Sequence, residues 1–165
     1  MKESLRMANF HVLEQVDLFQ ELTSSQLDLI NGVSSERTYS QGDVIFRENS
    51  PSDAFYIILD GEVEIQVDPD TIGDGSDAYQ PSTIAVLRRG QSFGEVAIVD
   101  PAVRSASAKC GSETCTLLVI GCKNFLKLLT EDNSMGFIVM RNIAVDLALK
   151  IRQTNLMVRE SLSNA

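Results

Sequence analysis

A chain of 165 residues with 44% hydrophobic content is long enough to close one substantial core and too short for two ordinary domains. Its formal charge of −9 opposes the dense basic face of a nucleic-acid reader, so neither nucleic acid nor an anionic membrane is an expected partner. One histidine and three cysteines (Cys110, Cys115, Cys122) exclude a His-rich metal centre and a disulfide scaffold, while the lack of a spanning apolar run or signal-like start predicts a cytoplasmic location.

The N-terminal stretch reads as helical, because Leu5, Met7, Phe10, Val12, Leu13 and Val16 recur at helix-compatible spacing. Thr23 restarts a helix. Gln26, three positions on, completes a capping box, and Leu27, Leu29, Ile30 and Val33 supply the buried face until Gly32 and Ser34-Ser35 weaken its end. From Thr38 to Ile120 the period changes to two, with turns expected at Gln41-Gly42-Asp43, Asn49-Ser50-Pro51 and Arg89-Gly90. That is the pattern of a small β-sandwich or barrel. Asp60-Gly61 predicts a hairpin that joins the apolar run Phe55–Leu59 to a half-exposed strand, where Val63, Ile65 and Val67 alternate with Glu62, Glu64 and Gln66.

Asp68 to Ser82 reads as a long polar loop. As a calcium loop it fails, since Ile72 stands where Asp or Asn is needed and Tyr79 where a bidentate Glu is needed. After Ile120 a short helix is expected over Lys123–Thr130 and a long one from Ser134 to about Glu160. On the long helix Met140, Ala144, Leu147, Ile151, Thr154 and Val158 form a heptad-like seam. Two readings of that seam stay open: packing on the chain's own barrel, or a homodimer through the C-terminal helix.

Enzyme signatures are absent, with no Walker loop, no G-x-S-x-G elbow and no H-E-x-x-H. His11 stands alone in the amphipathic N-terminal segment, so no enzymatic activity is expected. The informative segment runs from Gly90 to Ala106. Gly94 permits a tight turn, and Glu95 to Val99 suffices for one helical turn before Asp100-Pro101 ends it. A helix start presents free N–H groups that favour an anion. Arg104, expected at the head of the next strand beside Ser105, offers a planar fork and a hydroxyl that together suit a phosphate.

Glu95 would repel that phosphate unless a sugar separated the two, and a carboxylate accepts hydrogen bonds from ribose hydroxyls. Local charge agrees, because residues 84–110 hold Arg88, Arg89, Arg104 and Lys109 against only Glu95 and Asp100. The residues alone leave two readings: a sugar-phosphate site, or an exposed turn closed by an internal Glu95–Arg104 ion pair.

The order of helix, short strands, F-G-E-x-A, R-S-A and a closing long helix resembles the cyclic nucleotide-binding domain family over about residues 15–160. Leu18-Phe19 with Leu22, Gly42-Asp43 before Val44-Ile45, Phe55-Tyr56-Ile57 with Gly61, and Gly90 ahead of Phe93 extend the match. The resemblance implies an α+β, mainly β, fold. Its form is an eight-stranded double-stranded β-helix (jelly-roll) barrel with N-terminal helices, a short phosphate-cassette helix and a long C-terminal helix. One domain over 1–165 is expected, its core at about 15–132 and its closing helix at about 134–160.

The same resemblance gives Glu95 the ribose 2′-hydroxyl, Arg104 and Ser105 the cyclic phosphate, and the Ala97 N–H a phosphate oxygen. Gly94 lets the backbone approach, and Phe93, Val96 and Ala106 complete the cassette. Ile65, Ile84 and Leu87 would wall the base, with Thr154 and Asn155 reaching it from the closing helix. Two departures stand out: Asn49 replaces a common glycine, and the acidic loop is long. No helix-turn-helix follows the long helix, so DNA binding is not implied.

The implied function is a regulatory sensor that binds cyclic AMP or cyclic GMP, needs no further cofactor, and signals to an effector protein. Cyclic AMP is favoured, since Thr154 and Asn155 offer a donor and an acceptor to the adenine N6 edge. The rival is an interaction module that keeps the fold without the ligand. An enzyme cleaving cyclic phosphates would need metal ligands that one histidine does not supply.

Overall fold

The apolar run at residues 55–59 is unbroken by polar residues because both faces of its strand are covered. In the computed structural model, which describes residues 9–68 and 81–163, this strand is β3 (Ala54–Asp60). Phe55, Ile57 and Leu59 face a helical layer, while Ala54, Tyr56 and Ile58 face the barrel interior. Alternation is lost when neither face meets water.

Among the described residues eight strands form two antiparallel four-stranded sheets. One sheet runs β1 (Ser34–Ser40), β8 (Thr114–Gly121), β3 and β6 (Ser92–Phe93). The other runs β2 (Val44–Phe46), β7 (Ser107–Cys110), β4 (Glu62–Val67) and β5 (Ser82–Arg88). Only β4 and β5 are both consecutive in the chain and paired, and every other connection changes sheet. The fold is a jelly roll. The acidic loop expected from Asp68 to Ser82 lies, over 69–80, outside the described residues.

Two strand-level expectations are corrected. Asp60-Gly61 is a corner between sheets and not a hairpin: β3 pairs with β8 and β6, whereas β4 pairs with β7 and β5. Gly61 has φ +85°, and a Cβ there would lie 2.3 Å from the Thr114 carbonyl oxygen. The close crossing of β8 is what demands glycine. The first strand also begins at Ser34, ahead of Thr38, because Ser34–Ser40 pairs along β8 from Ile120 to Thr114.

The helices are α1 (Ser24–Val33), α2 (Val96–Val99), α3 (Cys122–Glu131) and α4 (Asn133–Ser163), with a 3-10 turn at Asp17–Phe19. The Thr23–Gln26 capping box forms at α1 in both directions. Gln26 also donates to Asp132 Oδ2 at 2.7 Å, and the Met135 amide donates to Asp132 Oδ1 at 3.0 Å. These bonds, Gln26 foremost, hold the Asp132 carboxyl below its ordinary range and cap the start of α4.

α4 buries Met135, Val139 and Ile143 at steps of four against the core, with Leu147 partly buried after them. Asn142 Nδ2 donates to the Leu18 and Gln20 carbonyls, which locks the helix onto the 3-10 turn. The expected seam is therefore a different stripe, sharing only Leu147 with the packed face. Met140, Ile151 and Val158 are exposed, as is every residue from 148 to 163. Among the described residues no helix is long and apolar enough to cross a membrane.

Candidate ligand site

α2 sits directly after β6, turned by Gly94 at φ +73°. A Cβ at Gly94 would lie 2.7 Å from Arg104 Nη1, so glycine here makes room for a side chain of the protein itself. Arg104 does not head a strand. It lies in the loop before β7, where its N–H donates to Ser50 O at 2.9 Å and its carbonyl accepts from Asn49 N–H at 2.8 Å. Asn49 adopts φ +62°, the left-handed conformation its side-chain type tolerates. The loop is pinned to the β2–β3 turn, and Arg104 is thereby directed inward.

Arg104 is 4% exposed. Nη2 donates to Ala54 O at 2.6 Å, Nη1 donates more weakly to Gly94 O at 3.4 Å, and Cζ stands 4.2 Å from the Phe46 ring centroid. Phe46, Tyr56 and Phe93 pack together beneath it, with Tyr56 and Phe93 stacked at 5.0 Å. Burial raises the Tyr56 phenol above its ordinary pKa although Arg104 opposes the shift, so the ring is a neutral wall. Nε of Arg104 has no acceptor, and among the described residues no carboxylate pairs with this cation. A buried charge without a counter-charge is costly unless something else compensates it.

Glu95 is also buried, at 3% exposure, and the internal Glu95–Arg104 ion pair that the residues left open does not form. Its partner is Lys150 of α4, whose Nζ donates to Glu95 Oε1 at 2.5 Å and lies 2.8 Å from Asp146 Oδ2. Partial burial pulls the Lys150 pKa down, but the Glu95 and Asp146 carboxylates outweigh it and the net shift is upward. Lys150 is a firm cation. Acid and base on either side of the turn are thus separate, each offering chemistry to a ligand: a carboxylate already neutralised from behind, and a guanidinium with donor capacity left.

Of the other residues expected in the site, Phe93 and Ala97 are buried, Ala106 is half-buried, and Ser105 and Val96 are exposed. The Ala97 N–H is engaged within the turn, donating to Gly94 O at 3.2 Å. Ile65 and Leu87 pack against the barrel core, but Ile84 does not share their face and is 57% exposed. The β4–β5 register shifts between Ile65, opposite Ala85, and Gln66, opposite Thr83. Alternation along β5 sets Ala85 and Leu87 on the inner face and Ile84, with Val86, on the outer one, and the register shift falls at Ile84 itself. Thr154 and Asn155 are exposed, and the Thr154 hydroxyl donates to Lys150 O of its own helix at 2.9 Å.

Sequence reasoning missed Lys150, Asp146 and the part that Phe46 and Tyr56 play beside Phe93 in cradling Arg104. A separate cleft of about 270 Å³, lined by Arg47, Glu48, Gln66, Asp68 and Lys109 among others, includes none of Glu95, Arg104 or Lys150.

Comparison with known proteins follows the same lines. Two relatives are a cGMP-dependent protein kinase of Caenorhabditis elegans, 28% identical over 137 residues, and the cyclic AMP receptor protein of Thermus thermophilus, 30% identical over 139. The matched regions are 82% and 84% of this chain, but only 16% of the kinase and 59% of the receptor. Among solved structures, the catabolite activator protein of Thermus thermophilus superposes with a TM-score of 0.70 at 28% identity, covering 86% of this chain and 61% of that one. The profile of the cyclic nucleotide-binding domain matches residues 36–132, which takes in the barrel, the α2 turn and Arg104. The chain belongs to the cyclic nucleotide-binding domain family.

Proposed function

We propose that this domain binds one cyclic purine nucleotide per chain and acts as a regulatory sensor. The observation that carries this function is Arg104: a residue 4% exposed, its guanidinium cradled by aromatic rings, with Nε unpaired and, among the described residues, no carboxylate opposite. A compact anion compensates such a charge. Arg104 and Ser105 then hold the cyclic phosphate, and Glu95 takes the ribose 2′-hydroxyl. The Ala97 N–H exchanges its long bond to Gly94 O for a phosphate oxygen.

Ile65, Leu87 and Ala85 wall the base, and Thr154 and Asn155 meet its edge once α4 folds over it. Relatives carry names with both cyclic AMP and cyclic GMP. In this domain cyclic AMP binds at least as well as cyclic GMP, because the polar pair on α4 offers adenine both a donor and an acceptor.

Thermal melting with cyclic AMP, cyclic GMP and linear AMP tests this function. A cyclic nucleotide at a hundredfold excess over its dissociation constant adds about 2.7 kcal/mol. For this chain length that raises the melting temperature by roughly 5–11 °C. Linear AMP is expected to give a much smaller rise. A melting temperature unmoved by either cyclic nucleotide would leave the non-binding interaction module in its place.

A further inference from the structure

Glu95 has two carboxylate oxygens, and they are not equivalent. Oε1 accepts from Lys150 Nζ at 2.5 Å, whereas no group among the described residues hydrogen-bonds to Oε2. The carboxylate stands on the short turn of α2, and the ammonium on the closing helix 55 positions along the chain. Asp146, one helical turn before Lys150 and 2.8 Å from Nζ, holds the ammonium in place. Lys150 itself is half exposed, so nothing in the core requires it.

We propose that Lys150 is a positioning residue of the ligand site, holding Glu95 by Oε1 so that Oε2 is presented to the ribose 2′-hydroxyl. This deepens the cyclic nucleotide function proposed above and rests on it. Two physical consequences follow from the geometry. An ammonium on Oε1 neutralises a carboxylate that would otherwise repel the entering phosphate in a poorly hydrated site. It also ties the hydroxyl-reading group to α4, so that recognition of the sugar and the position of the closing helix share one ion pair. Removing Lys150 frees the carboxylate to rotate, and selectivity for the 2′-hydroxyl is lost before phosphate binding is.

The test compares affinity for cyclic AMP and for 2′-deoxy cyclic AMP in the unmodified protein, in Lys150→Met and in Lys150→Arg. The unmodified protein is expected to bind the deoxy compound about tenfold or more weakly, as the loss of a hydrogen bond to a charged group implies. In Lys150→Met that ratio falls to about threefold or less. Lys150→Arg, which keeps the charge, retains the full ratio, a rescue that a general structural role would not produce. An unchanged ratio in Lys150→Met overturns the role of Lys150 while leaving nucleotide binding intact. Equal affinity for both compounds in the unmodified protein instead removes the ribose assignment of Glu95, and the role of Lys150 with it.

Discussion

Arg104 and Lys150 show two ways of keeping a cation in a partly dry place. Lys150 faces two carboxylates and keeps water on one side, whereas Arg104 has only carbonyls and ring faces. Burial acts in the opposite direction on the thiols. Burial first, then the neighbouring Cys110 thiol, pushes Cys115 up to about 12.

The unfolded thiol ionises near pH 9 while the folded one does not, so this group's contribution to stability declines as pH rises from about 9 towards 12. Cys122 is shifted upward as well, mainly by burial. A disulfide reagent at pH 8 is therefore expected to label none of the three native thiols rapidly, and all three in denaturant. Fast labelling of Cys115 in the native protein would contradict its burial. Gly94, Glu95 and Arg104 were legible in the sequence because they are close in the chain. Lys150 was not, since an Asp146–Lys150 pair at i,i+4 reads as an ordinary solvated helix pair.

At the scale of elements, turn signals locate the ends of strands but not the sheet to which the chain goes next. Asp60-Gly61 has the composition of a hairpin, yet the strand that closes against it is β8, contributed by residues more than fifty positions later. Gly61→Ala measures that crossing. With φ +85° and a Cβ 2.3 Å from the Thr114 carbonyl, it is expected to cost about 2 kcal/mol or more in a urea titration. A change within about 0.5 kcal/mol would mean that β3, β4 and β8 do not meet there.

The outward face of Ile84 was open to a stricter reading, because a residue three positions from Leu87 lies on the opposite face of a strand, whereas the register shift beside it leaves no mark on composition. The α1 cap was readable. Its box is a local, four-residue pattern, and the structure adds only the long-range bond from Gln26 to Asp132.

At the scale of the whole molecule a chain of net charge −9 holds a buried guanidinium that, among the described residues, has no carboxylate partner. A net negative charge disfavours polyanions, while a small anion entering beside α2 would meet Arg104 and a Glu95 already balanced by Lys150. That contrast argues for a compact phosphate ester held inside and against a nucleic acid held outside. Titration calorimetry of cyclic AMP against the unmodified protein, Arg104→Leu and Arg104→Lys tests this most directly. One nucleotide per chain is expected in the unmodified protein. Arg104→Leu should be weaker by about 2–5 kcal/mol, with Arg104→Lys between them because a point charge replaces the fork. Affinity in Arg104→Leu equal to that of the unmodified protein would contradict the assignment of the site.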